Sequence, residues 1–236
     1  MARNNFTIEE VKKHWDAVAD IYDDTNQEIG DAYYQRFKEG LRHLELHPGE
    51  KILNIWSRTG NAIPWLEKYN VEIYNLEVSP KMIKKAENKF TKQNFQLTNL
   101  EQINFPDNYF DAILSLETLE HTPDPSKLLN EFYRILKPEK IAVISLPPQT
   151  AEIPLRIYEF FFQNHGEGPH KFLTSKTVKS LIANAGFELL LHKGTLLIPT
   201  GPKLLQKFGE LIINKLQKTF IKEFGIRQFY ICQKKP

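Results

Sequence analysis

The sequence holds one cysteine, Cys232, so no disulfide can form within the chain, and it reads as a cytoplasmic protein. No apolar run approaches the ~20 residues needed to cross a bilayer, and the opening MARNNFTIEEVKKHW lacks the apolar segment of a secretory signal. Neither sign of charge dominates. The net charge of +2 says little about partners, while 41% hydrophobic and 25% charged residues exclude a disordered chain. Low-complexity tracts and repeats at solenoid periods are absent. The basic residues are not interleaved with aromatics in a recognisable module, so no nucleic-acid partner is expected.

Glycine is short at one particular place. ILNIWSRTGN, residues 52–61, predicts a buried strand running into a turn of the phosphate-loop kind. Alternate glycines would be expected at 56, 58 and 60, and only Gly60 is there; Trp56 and Arg58 hold the other places. A bulky residue cannot simply replace a glycine that needs positive φ or close backbone approach.

What is present is a regular alternation. Val11, Trp15, Val18 and Tyr22 recur at three- and four-residue intervals and predict an amphipathic helix over 7–23, followed by a second over 31–46 that His47-Pro48-Gly49 closes. Strands are predicted at 52–55, 71–76, 95–98, 110–116 and 141–146, with helices at 61–69, after Ser79-Pro80, and from Asp124-Pro125 to 136. In the last two, the polar residue caps free amides and the proline gives up an amide that had no partner. Strands separated by helices at this spacing predict an α/β doubly wound sheet, whose ligands bind beyond the carboxyl ends of the strands. In the last third, 153–163 predicts an aromatic helix, 164–173 a polar loop, Thr174 or Ser175 a cap for a helix stopping at Gly186, and 187–192 and 226–232 two strands. Between these strands, 202–224 predicts a lysine-rich amphipathic helix.

The segment PDNYFDAILSLETLEHTPDPSKLLNEFYRILKP, residues 106–138, closely resembles class I S-adenosylmethionine-dependent methyltransferases of the small-molecule group called type 11, and the resemblance extends from Trp15 to Leu146. Dinucleotide binding, the other common use of such sheets, is disfavoured by the missing G-x-G-x-x-G. The resemblance implies a Rossmann-like seven-stranded sheet, mostly parallel with an antiparallel final strand and helices on both faces. It implies one domain over 1–236, with a helical cap at 1–48, a cofactor-binding core at 51–146 and acceptor-side elements at 150–236. It also implies a small-molecule acceptor and S-adenosylmethionine as cofactor.

Residue by residue, Glu77 matches the acidic residue that accepts bonds from both ribose hydroxyls, with Val78 beside it; the alternative is a glutamate capping the next helix. Asn99 stands where an aspartate usually contacts the adenine amino group, and Leu100 is placed to pack on the adenine face, unless both belong to an ordinary strand-end turn. Tyr22 matches an aromatic that covers the cofactor, or is a core residue of its helix. Asn54 replaces an aspartate near the ammonium, and Trp56, Arg58 and Gly60 form the turn at the methionine part. Ser115, Leu116 and Glu117 are expected beside the sulfonium, with Glu117 toward the acceptor. Glu120 and His121 match an "EH" pair in which His121 orients the acceptor or takes a proton, or else bonds a backbone carbonyl.

Two functions follow. The chain is a methyltransferase relying on proximity and desolvation, or it is a degenerate relative that serves as a binding or partner protein, because Asn54, Trp56, Arg58 and Asn99 depart together. The acceptor pocket is expected around Tyr158, Phe161, His165 and His170. A metal site from His165, Glu167 and His170 fits no strong ligand spacing, so no metal is expected. The helix at 202–224 is expected to pack on the sheet with solvated lysines; the alternative is contact with an anionic membrane surface or a lipid-like acceptor.

Overall fold

In Ile52-Leu53, Ala112-Ile113-Leu114 and Ala142-Val143-Ile144, successive side chains must point to opposite sides of a strand. Leu53, Ile113, Ala142 and Ile144 join one apolar cluster, and Ile52, Ala112, Leu114 and Val143 join another. Strands buried on both faces read as nearly continuous apolar runs and need helices on both faces to cover them. The computed structural model describes residues 5–152, 168–199 and 201–236. It contains β1 (Lys51–Ile55), β2 (Glu72–Glu77), β3 (Phe95–Leu97), β4 (Phe110–Leu116), β5 (Leu136–Leu146), β6 (Phe187–Thr195) and β7 (Arg227–Lys234) in one seven-stranded sheet of order β3-β2-β1-β4-β5-β7-β6. The first five strands are parallel, and β7 runs antiparallel to both β5 and β6, as the resemblance implied.

The helices are α1 (Ile8–Val18), α2 (Tyr22–Ile29), α3 (Asp31–Leu41), α4 (Ile63–Leu66), α5 (Pro80–Lys89), α6 (Pro125–Ile135), α7 (Ser175–Asn184) and α8 (Lys203–Lys215). The first apolar cluster packs α1, α5, α6 and α7 on one face of the sheet; the second packs α3 and α4 on the other. Starts are built from sequence as expected. Ser79 Oγ accepts from Met82 N at 3.1 Å, Asp124 Oδ1 from Ser126 N at 3.0 Å, and Thr174 Oγ1 from Thr177 N at 3.0 Å.

Four expected helices are cut, the one over 31–46 ending already at Leu41. The one over 7–23 breaks after Val18 and restarts at Tyr22, with the Trp15 and Tyr22 rings in edge contact at 6.0 Å. The one over 61–69 shrinks to the single turn α4 and a 3₁₀ turn at Glu67–Tyr69, ended by Asn70 at φ 53°. The one over 202–224 stops at Lys215, because Gln217 turns to pair with Gly194, accepting from its N at 3.1 Å and donating to its O at 2.6 Å. Thr219 then caps a separate 3₁₀ turn, Phe220–Phe224. The aromatic helix expected at 153–163 lies outside the described residues.

Strand order reverses between β1 and β4, so the crevice for a ligand opens where the turn after β1 faces the turn after β4. Gly60 closes the first of these at φ +83°, and a Cβ there would meet Phe90 Cδ2 at 2.7 Å. Gly60→Ala is expected to cost about 1–3 kcal/mol of stability in urea unfolding; an unchanged midpoint would mean that Phe90 yields freely.

Candidate functional site

The turn after β1 adopts the backbone that its missing glycines would have favoured. Trp56 has φ 56° and Arg58 φ 54°, both left-handed, like Gly60. Each such residue costs on the order of 1–3 kcal/mol unless its surroundings hold it. Arg58 is held twice. Its backbone N–H donates to Glu77 Oε2 at 2.7 Å, and its guanidinium lies 3.6 Å from the Trp15 ring centre and 4.0 Å from that of Trp56. A desolvated cation over a ring contributes ~2 kcal/mol, so the stack offsets the strain. Burial pushes the Arg58 pKa down, and Tyr22 and Glu77 oppose that. Its Nη1 has no hydrogen-bond partner.

Glu77 ends β2 and is fully buried. Its Oε1 accepts from Val78 N at 2.9 Å and Ser79 N at 3.0 Å, in addition to the Arg58 amide on Oε2. Burial raises its pKa, against Arg58 and these amides. A carboxylate offers about four acceptor positions, and these amides fill three. From above, α1 fastens the edge: Asp16 accepts from Ser79 Oγ at 2.5 Å and from Lys81 N at 3.2 Å.

The turn after β4 begins with Glu117, at φ 55°. Its Oε1 accepts from Arg227 Nε at 2.6 Å, and its Oε2 takes a very short bond from Arg36 Nη1. Burial pushes its carboxyl up, but Arg227 and Arg36 outweigh this and hold it at about 2. His121 is buried, with its ring 5.5 Å from Trp15, 5.1 Å from Trp56 and 6.0 Å from His170. Its Nδ1 donates to the Pro169 carbonyl at 2.9 Å, since a carbonyl only accepts. Burial, then the Arg58 charge, push the His121 pKa well below its usual value. The ring is therefore neutral and a weak base at neutral pH. Ser115 is buried with its hydroxyl unpartnered, and Leu116 lines the crevice with Arg36, Asn54 and Trp56.

The remaining predicted residues divide. Asn54 donates to Asn75 Oδ1 at 2.9 Å, below the turn. Asn99 Oδ1 accepts from Glu101 N and Gln102 N, both at 3.0 Å, and Leu100 is buried at φ 65°, so both serve a strand-end turn. Tyr22 is buried with its hydroxyl 3.5 Å from Arg36 Nη2. His170 Nδ1 donates to the Gly168 carbonyl at 2.7 Å. Tyr158, Phe161 and His165 lie outside the described residues, and no metal-ligating cluster exists among the described ones. Sequence reasoning missed Arg36, Arg227 and Asp16, and it took Trp15 only as the apolar side of a helix. Periodicity identifies a buried side but not the partner across 43 (58 − 15) or more residues of chain.

The side chains of the turn after β1 fill the place that the resemblance gives to the methionine part of the cofactor. The crevice bounded by Tyr33, Arg36, Trp56, Arg58 and Leu116 keeps about 20 Å³, room for one water, where ligand pockets run to ~300–1,000 Å³. Trp56 and Arg58 fill it from within. A separate cleft of about 300 Å³ lies past β3, walled by Val78, Thr98 and Asn99 and by Ile8 and Lys12 of α1.

Comparison with known proteins shows what the chain is similar to. The methyltransferase domain family matches residues 53–144. Phosphoethanolamine N-methyltransferase 3 of Arabidopsis thaliana is 26% identical over 156 residues, which cover 64% of this chain and 31% of that protein. Demethylmenaquinone methyltransferase of Tropheryma whipplei is 30% identical over 135 residues, 55% of each chain. The chain thus spans about a third to about half the length of these curated relatives. Among solved structures, the [4+2]-cyclase SpnF has a TM-score of 0.72 at 14% identity, covering 98% of this chain and 97% of that one, which shows a shared fold.

Two measurements follow from the packing. In the unfolded chain His121 takes up a proton near pH 6.5 while the folded protein refuses it, so stability is full above that pH and falls below it. His121→Gln is expected to lose less stability than the natural chain between pH 7 and pH 5 in chemical unfolding, the difference being at most about 2 kcal/mol. His192, held at about 4 by burial and by Lys179, adds a slope of the same sign that the variant retains. Opening the crevice with Trp56→Gly and Arg58→Gly together is expected to tighten S-adenosylhomocysteine binding at least ~10-fold by calorimetry, because about 1.4 kcal/mol of displaced stacking is a factor of ten.

Proposed function

We propose that the chain, whose residues 53–144 match the methyltransferase domain family, is a class I S-adenosylmethionine-dependent methyltransferase of the type 11 group that methylates a small-molecule acceptor. The observation that carries this reading is Glu77, a buried carboxylate at the end of β2, beside the point where strand order reverses. An all-acceptor group there suits a ribose hydroxyl, for which one acceptor position is left over from its amide bonds. The two relatives above are named for phosphoethanolamine and demethylmenaquinone, which supports small acceptors and makes a lipid-like one a reasonable first choice.

In this proposal Tyr22, Asn54, Gly60, Val78, Asn99, Leu100, Ser115 and Leu116 form the walls of the cofactor region once Trp56 and Arg58 withdraw. Withdrawal requires α1 to lift, since Trp15 is one side of the stack and Asp16 fastens that helix to the start of α5. Neutral His121 is too weak a base to hold a proton at neutral pH, so we assign it to positioning. Glu117, neutralised by Arg36 and Arg227, is likewise assigned to shaping the acceptor side.

A second reading, a partner protein that binds no cofactor, is favoured by the filled crevice alone. Calorimetry with S-adenosylhomocysteine separates the two: micromolar binding supports the transferase, and no heat at millimolar ligand leaves only the second. In the Trp56→Gly/Arg58→Gly background, Glu77→Gln is expected to weaken that binding roughly 10- to 150-fold, the worth of one bond to a charged group. Mass spectrometry of co-purifying ligands would name the acceptor.

A further inference from the structure

The segment after β6 exposes an apolar face that the sheet does not use. In α8, Gly209 and Ile213 are buried, and Glu210 accepts from Leu196 N at 2.5 Å, so this side faces the protein. Leu204, Phe208 and Leu211, spaced four and three residues apart, share the opposite side. They are 80%, 55% and 53% exposed. The following 3₁₀ turn adds Phe220, 72% exposed, and Phe224, 54% exposed. The helix is thus apolar on both sides, and its outer side contradicts the expectation that its large residues pack on the sheet. A soluble chain has no folding reason to present Leu and Phe together to water.

Charge identifies the occupant. Residues 203–224 carry Lys203, Lys207, Lys215, Lys218 and Lys222 against two acids. Both acids are turned inward: Glu210 to the Leu196 amide, and Glu223 to 3.8 Å from His192 Nδ1. An apolar stripe about 10 Å long, from Leu204 to Leu211, bordered by lysines matches the interface of an anionic bilayer, where leucine and phenylalanine enter the acyl boundary and lysines meet the headgroups. A protein partner would need acids placed against each lysine, whereas anionic lipids supply charge at every position.

The placement adds to this. Because β6 and β5 are both antiparallel to β7, they run in the same direction, and β6 ends at the carboxyl edge of the sheet, where the crevice opens. α8 follows directly, with Lys203 Nζ 3.3 Å from Asp31 at the start of α3. We propose that α8 and the 3₁₀ turn after it dock this chain on an anionic membrane surface, with the crevice edge toward the lipid. The docking does not depend on the methyltransferase reading.

Flotation of the full chain with vesicles tests it. The protein is expected to rise with phosphatidylcholine–phosphatidylglycerol vesicles at low salt and to stay behind with phosphatidylcholine alone. Phe208→Glu with Leu211→Glu is expected to abolish flotation with an unchanged melting curve, as both side chains face water. Lys207→Gln, Lys215→Gln and Lys218→Gln together are expected to lower partitioning roughly 100-fold, the electrostatic share of three lysines near an anionic surface. Equal flotation with neutral vesicles overturns the proposal. So does no flotation with either vesicle, including the case where light scattering shows a dimer that Phe208→Glu dissolves, which would make a second copy the occupant. S-adenosylhomocysteine binding measured on the same variants stays at the natural value, so failure here and failure of the transferase reading are told apart.

Discussion

One guanidinium closes the carboxyl edge of this sheet. Arg58 lies in the corner formed by the Trp15 and Trp56 rings, which meet edge-on, and its own amide is bonded to Glu77, so a single residue joins α1, the turn after β1 and the end of β2. The stack depends on the left-handed backbone at 56 and 58, which in turn costs energy that the stack returns. Neither holds without the other. His121 then has no choice of state: pressed against both indoles and close to a buried cation, it remains neutral.

The charges under this edge are balanced rather than exposed. Glu77 faces Arg58, and Glu117 is shared by Arg36 and Arg227, so α3, β4 and β7 meet at one carboxylate. Breaking such a buried set by removing one member leaves an uncompensated charge, which is far costlier than losing a surface pair. The same arrangement explains why a crevice at a strand-order switch can be nearly solid. A fold that supplies the place for a ligand does not oblige the side chains to leave it open. The likeness to a cyclase at a TM-score of 0.72 makes the same point from outside: this architecture hosts more than one chemistry.

Much of the frame was legible in the residues. The strand Phe110–Leu116 has the bounds that its apolar run and preceding turn predict, and the caps at Ser79, Asp124 and Thr174 are where a polar residue precedes a helical pattern. The demand for left-handed backbone at 56 and 58 was also readable, as the spacing around Gly60 implies it. Helix ends were less legible. Lys215 ends α8 because Gln217 finds Gly194 in β6, a contact across 23 residues that no local pattern encodes. The site residues Asn99 and Leu100 matched a motif, yet their hydrogen bonds and burial are those of a turn.

The sequence by itself determined the alternation of strands and helices, and with it a doubly wound sheet with one crevice edge, because periodicity and capping are local and the crossover rule is chiral. It also determined that Trp56 and Arg58 would be at odds with their turn. Only the tertiary structure decided how that conflict is resolved: Trp15, more than 40 residues earlier, supplies the second ring that turns a misplaced arginine into a buried stack. It likewise decided that α8 shows leucine and phenylalanine to water, since which side of an amphipathic helix meets the sheet depends on where Gly209 and Ile213 find room. Local preferences fix what each segment can be, while long-range packing selects which of its surfaces is spent inside.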